Sequence, residues 1–305
     1  MNWLLIVIIA HVFSAAIFIV DKYLLKRGFP NPLSYAFWVG FLSFVVLALA
    51  PFGFFIPSTN QILLSLAAGM VWLISTVIFY NALHKGEASR VVPTVGGLTP
   101  LFILGLSFIF LGERLSLREL LAFCFLVSGG IILSLLVTKT ETLSFWKRRK
   151  IRLTKVFIPA MGAALTSAIY LVITKSVFLN IGFINGLIWT RLGAALGASI
   201  LLISGSCRRM IFKKGEAVKA GAFGFFVLAR GLGAISGLLI YWAIFLGSVA
   251  LVNSLQGVQY LFLLVLAFLF FRQIPQLKEQ LEKGALVQKI IAIILIGIGL
   301  AILII

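Results

Sequence analysis

Acid groups are scarce in this sequence, with 8 Asp and Glu against 26 Lys and Arg. Histidine and cysteine are scarcer still, at 2 residues each. General acid–base or nucleophilic catalysis needs such groups gathered at one place. Too few are available at depth, so an enzyme is not expected. His11 and His84 stand far apart and no HExxH pattern occurs, so no metal site is expected. Cys124 and Cys207 have neither metal-ligand spacing nor a disulfide framework. No GxxxxGK[ST] loop is present, which excludes ATP hydrolysis by that route, and no cofactor is implied. Charge as a whole is short. Only 11% of the residues are charged and 62% are hydrophobic, with a mean hydropathy of +1.16. A water-soluble domain needs more polar surface than this to cover its core, so the chain reads as bilayer-embedded.

The net charge of +18 raises nucleic acid as a partner. The basic residues, however, fall in short runs between apolar blocks, the pattern of membrane topology. No nucleic-acid partner is expected.

A helix needs about 20 apolar residues to cross the hydrocarbon core. Ten such blocks are present, at roughly 3–21, 33–51, 61–83, 90–111, 116–137, 156–178, 182–205, 219–245, 248–271 and 284–305. The first, MNWLLIVIIAHVF, lacks a basic leader and reads as an uncleaved membrane helix. Pro30, Pro32, Pro51 and Pro57 fall at predicted helix ends.

The chain repeats itself. LFILGLSFIFLGE at 101–113 is echoed by LFLLVLAFLFFRQ at 261–273. Tyr80, Ala82 and Gly86 match Tyr241, Ala243 and Gly247, and Gly28, Phe29 and Asn31 match Gly182, Phe183 and Asn185. The matches keep their order, so the chain reads as two five-helix halves, 1–137 and 156–305. A basic connecting loop, 138–155, joins them. Because five is odd, the second half enters the membrane from the opposite side. The expected fold is all-α, with ten transmembrane helices as two inverted five-helix repeats. That architecture places a site at the midplane and permits alternating access.

Of the 26 basic residues, 21 lie in or beside the odd-numbered connections and two, Arg114 and Arg118, in an even one. The odd connections are therefore expected in the cytoplasm and both termini outside. The run WKRRKIRLTK at 146–155 fits a topology signal that also touches anionic lipid head groups.

The remaining three basic residues, Lys175, Arg191 and Arg230, lie within apolar helices. A charge at the bilayer centre costs about 2.5–3.5 kcal/mol on insertion scales. The second half offers these cations no carboxylate away from helix ends, so Arg191 and Arg230 are candidates to bind a substrate anion. Lys175 lies near a helix end and is expected to snorkel to the interface. Asn253, Gln256 and Tyr260 share one face of the ninth helix, while His11 and Ser14 share one of the first. Tyr170, Tyr80 and Trp72 complete the candidate polar and aromatic lining. Asp21 is the one embedded carboxylate that could bind a cation. Gly193-x-x-x-Gly197 and Gly233-x-x-x-Gly237 are read as close-packing surfaces, and Gly96-Gly97 as packing ahead of gating.

Tyr80, Ala82, Pro93, Pro100 and FLGERLSLRELLAFCFLVSGGIIL at 110–133, with Leu111-Gly112-Glu113 and Gly129-Gly130, resemble the drug/metabolite transporter superfamily. The nearest branch is the EamA-like ten-helix carriers. The resemblance implies a cavity enclosed by helices one to four and six to nine, with five and ten outside. It also implies both termini in the cytoplasm, opposite to the charge count, and the count is followed here. The expected activity is secondary, non-ATP transport of a small polar metabolite, anionic or zwitterionic like an amino acid. The expected setting is a prokaryotic plasma membrane, as a monomer or homodimer. A flippase for a lipid-linked sugar phosphate and a non-transporting scaffold are the alternatives.

Overall fold

The computed structural model describes residues 2–27, 31–85, 88–136, 149–212, 220–270 and 286–304. Among them every regular element is helical: α1 (Asn2–Arg27), α2 (Pro32–Phe41), a 3-10 segment (Leu42–Phe52), α3 (Thr59–Lys85), α4 (Ala88–Leu111), α5 (Leu117–Leu136), α6 (Arg149–Ile181), α7 (Phe183–Leu201), α8 (Gly205–Ile211), α9 (Ala220–Leu246), α10 (Val249–Ser254), α11 (Gln256–Phe270) and α12 (Leu286–Ile304).

Among the described residues, eight stretches are long and apolar enough to cross a membrane: Pro32–Phe52, Thr59–Leu83, Thr94–Leu111, Phe157–Ile181, Phe183–Leu201, Ala229–Leu246, Val249–Leu266 and Val287–Ile304. A shorter apolar helix covers Trp3–Ile17. The other expected crossing corresponds to α5, which opens on Arg118 and Glu119. The outer face is greasy. Ile109, Phe110, Leu117 and Ile203 are each at least 70% exposed. Water would penalise such a surface, whereas acyl chains match it. The chain is an integral, multi-pass membrane protein.

Short polar signals set the helix ends. Asn31 caps α2, its side chain accepting from the Leu33 backbone N–H at 2.9 Å, with Pro32 in the first turn where a missing donor costs nothing. Ser116 and Glu119 form a capping box: Glu119 accepts from the Ser116 backbone N–H at 2.8 Å, and Ser116 Oγ accepts from the Glu119 N–H at 3.3 Å. Between α4 and α5 the chain turns through Gly112 at φ +66°, and the Glu113 N–H reaches back to the Ser107 carbonyl at 3.2 Å. A side chain at that φ would be strained, which explains the glycine of the Leu-Gly-Glu signature.

Two expected helices are not uniform. The second changes from α to 3-10 winding at Leu42, and no residue of its outer part is buried. The ninth is interrupted at Leu255, which separates α10 from α11. The expected 138–155 loop is also shortened, because α6 begins at Arg149; residues 137–148 lie outside the described residues. Arg272 and the side chains of Asp21 and His84 lie outside them too.

Packing gathers the helices into neighbours. α5 and α12 pack mainly on each other, with α4 and α11 alongside. α3 lies between α6 and α7, and α1 lies against α9 and α11. At the α3–α7 crossing a Cβ on Gly193 would run into the Leu66 backbone, so small residues permit the approach. Two hydroxyl pairs recur. On α3 and α6, Ser75 Oγ meets Ser167 Oγ at 2.6 Å and donates to the Ala163 carbonyl at 3.2 Å. On α9 and α1, Ser236 Oγ meets Ser14 Oγ at 2.6 Å and donates to the Ala10 carbonyl at 2.9 Å.

Candidate functional site

Two bodies of helix leave a cleft between them. On one side the second helix packs on α7, tied to it just past its end, and is tied to α8 near its start. The Phe55 N–H donates to Asn185 Oδ1 at 3.2 Å, Trp189 Nε1 donates to the Phe55 carbonyl at 3.3 Å, and Ser34 Oγ donates to the Ile211 carbonyl at 3.3 Å. On the other side α9 is held to α1 by the Ser14–Ser236 pair. The cleft encloses about 540 Å³, within the range of small-molecule sites. Residues of α1, the second helix, α3, α7, α9 and α11 line it. Among the described residues, the fourth and sixth helices contribute none to the lining, so the enclosure is narrower than the family resemblance implied.

Arg191 is the centre of the polar wall. Its guanidinium carbon lies 4.7 Å from the Trp72 ring centroid and 4.8 Å from that of Tyr241. Its Nη2 donates to the Tyr241 hydroxyl. Tyr170 donates to the same oxygen at 2.7 Å, from a buried position. Tyr241 therefore accepts twice, and its own proton is left for a further partner. Each ring face is worth about 0.5–2 kcal/mol to a cation, the same scale as the insertion cost. The rings can thus hold Arg191 in place without neutralising it. Among the described residues no Asp or Glu lines the cleft. Arg230 also lines it, with its guanidinium carbon 5.8 Å from the Tyr35 ring centroid.

The structure divides the expected site residues. Arg191, Arg230, Ser14 and Trp72 meet in the cleft. Tyr170 stands behind it, acting through Tyr241. Tyr80 packs edge-on against Tyr35, ring centroids 4.9 Å apart, one layer beneath Arg230. His11 is buried beside the cleft wall with neither ring nitrogen hydrogen-bonded. Asn253 is turned back on its own helix, donating to the Val249 carbonyl at 2.9 Å. The break at Leu255 separates it from Gln256 and Tyr260, with which it was expected to share a face. Those two instead approach Gly96 of α4: a Cβ there would lie 2.5 Å from the Tyr260 hydroxyl and 3.7 Å from Gln256 Oε1. Since α4 runs unbroken through Gly96 and Gly97, both glycines serve packing.

Two further expectations change. Lys175 does not snorkel. It is 7% exposed and donates to the Ile244, Phe245 and Gly247 carbonyls at 2.7, 3.0 and 2.9 Å, capping the C-terminus of α9. Gly233 and Gly237 are not tight contacts; an added Cβ would meet nothing nearer than 3.8 Å, and both line the cleft. Glu113, in the turn after α4, joins that turn to the neighbouring α10, accepting from Ser248 Oγ at 2.9 Å and from the Val249 N–H at 3.5 Å. The sequence reading missed Tyr241, Ser236 and Gln259 as cleft residues. For Tyr241 a signal existed, since it repeats Tyr80.

Residues 1–135 match the EamA-like transporter family. An uncharacterized protein of Methanocaldococcus jannaschii is 34% identical over 79 residues, which is 25% of this chain and 57% of that protein. A protein of known crystal structure shares the fold, with a TM-score of 0.65 at 17% identity, over 97% of this chain and 94% of its own.

Proposed function

We propose that this chain, EamA-like over residues 1–135, is a secondary transporter that carries a small organic anion or zwitterion by alternating access. Arg191 carries the reading. It is held in a cleft by aromatic faces and a tyrosine hydroxyl, with no described carboxylate to cancel it. A substrate acid group would take that place, receiving hydrogen bonds from Arg191 and from the spare Tyr241 proton. Fork-like guanidinium geometry suits carboxylate or phosphate. Arg230 would meet the same substrate from α9, and Ser14 and Trp72 would line its path. Tyr80 and Tyr170 would act from the layer behind.

The halves 1–137 and 156–305 would be inverted repeats. The twin hydroxyl pairs support this: Ser75 and Ser236 sit at matching distances before Tyr80 and Tyr241, and each binds a serine and the carbonyl four residues before it. Such repeats exchange conformations across a central site. Basic connections would face the cytoplasm of a prokaryotic plasma membrane, touching anionic lipids.

Flux of candidate carboxylates into vesicles carrying the purified protein tests the reading. Arg230→Gln is expected to abolish flux while leaving a monodisperse, helical protein. Normal flux in Arg230→Gln and in Arg191→Gln would remove the proposed site.

A further inference from the structure

The 3-10 winding of the second helix has a geometric result. With 3.0 residues per turn, side chains three apart stack in straight rows. Leu42, Val45 and Ala48 form one row, and Ser43, Val46 and Leu49 form the next. All six line the cleft, whereas none of the third row, Phe44, Leu47 and Ala50, does. An α-helix would wind such rows away from the cavity. At about 2.0 Å per residue this segment presents a straight, nearly all-apolar track about 14 Å long.

The cleft is polar at the back and apolar at its lips. Arg191, Tyr241 and the Ser14–Ser236 pair lie on the inner wall. On the second helix Val45 lines the cleft yet is 68% exposed. On α9 Ala234 lines it while its neighbours Leu232 and Ile235 are 52% and 47% exposed. These lips lie mid-span in apolar helices, at the depth of acyl chains. A site for a fully hydrated metabolite would have polar walls throughout, because every buried polar group wants a partner.

We infer that the substrate is an amphipathic organic anion, its acid group on Arg191 and Tyr241 and its apolar body laid along the Leu42–Leu49 track. This rests on the transporter reading and narrows its substrate class. The acid can belong to a soluble amphiphile or to a lipid head group, since both share this chemistry.

Binding to the full chain in lipid nanodiscs tests it, with empty discs subtracted. The probes are 4-phenylbutyrate, acetate and 4-phenylbutylamine. Phenylbutyrate is expected to bind at least tenfold more tightly than acetate, and the amine not at all. Leu42→Asn and the near-isosteric Val45→Thr should each shrink that preference several-fold, whereas Leu47→Asn, in the row turned away, should keep it. Equal affinity for the two acids, both lost in Arg191→Gln, would overturn the track while sparing the transporter reading. Acid binding indifferent to Arg191→Gln would overturn that reading itself. In a second arm, vesicles carry a fluorescent phosphatidate. Arg191-dependent flipping assigns the lipid source, and phenylbutyrate binding without flipping assigns the soluble one. If neither occurs, the inference is wrong.

Discussion

Lys175 and Arg191 are both basic residues inside apolar helices, and the structure treats them in opposite ways. Lys175 points into the end of α9 and places its ammonium on three backbone carbonyls. An ammonium has three donors, so its hydrogen-bonding capacity is used up. The carbonyls are also the negative end of a helix dipole, which favours a cation there. Arg191 points into an open cleft, with the Trp72 and Tyr241 rings beside it and one hydrogen bond to the Tyr241 hydroxyl. Its remaining donors have no equivalent cap. A buried cation is therefore not a site by virtue of its charge. What decides is whether the protein itself has already answered the charge.

The difference can be broken at either residue, and the largest effect is expected at Arg191. Arg191→Gln should cost the bound anion about 2–5 kcal/mol, the range for truncating a buried charged pair, with little loss of folding. Substrate affinity and thermal unfolding measured on the same preparation check this. A large drop in melting temperature with unchanged affinity would make Arg191 structural like Lys175. Lys175→Met should do the reverse. It strips three carbonyls of their donor and should lower stability by about 1–3 kcal/mol, leaving affinity per folded molecule intact. Unfolding of the detergent-solubilised protein reads this out, and loss of affinity without loss of stability would place Lys175 in the substrate path. Ser248→Ala removes the cap of α10 that Glu113 also supports, at a cost of about 1 kcal/mol. The smallest effects concern the repeat. Ser75→Ala and Ser236→Ala should each cost on the order of 0.6 kcal/mol, the mean for hydrogen bonds between membrane helices. Comparable values are expected from repeat-related positions, whereas flux should suffer only in Ser236→Ala, because Ser236 lines the cleft.

Much of the helical content was legible because bilayer thickness demands long apolar runs and helix ends demand polar caps. Asn31-Pro32 and Ser116-x-x-Glu119 announce their helices in one dimension. The interruption at Leu255 and the 3-10 winding from Leu42 were not legible. Both lie inside continuous apolar runs, where hydropathy carries no information on winding. Among the site residues, embedded arginines could be picked out by insertion cost alone. The roles of Asn253 and Lys175 could not, since a polar side chain can satisfy itself on a nearby carbonyl. Gly233 and Gly237 carry the same spacing as Gly193 and Gly197. Spacing alone did not reveal that the first pair is tightly packed against α3 and the second has room for a side chain.

The sequence by itself determined that this chain lives in a bilayer and which residues carry charge into it. Those are transfer properties of each segment and depend on no neighbour. The tertiary structure alone decided which of those charges faces a cleft and which is capped. Hydrogen bonding and ring contacts act over a few ångströms, between residues such as Arg191 and Tyr241 that lie fifty positions apart in the chain.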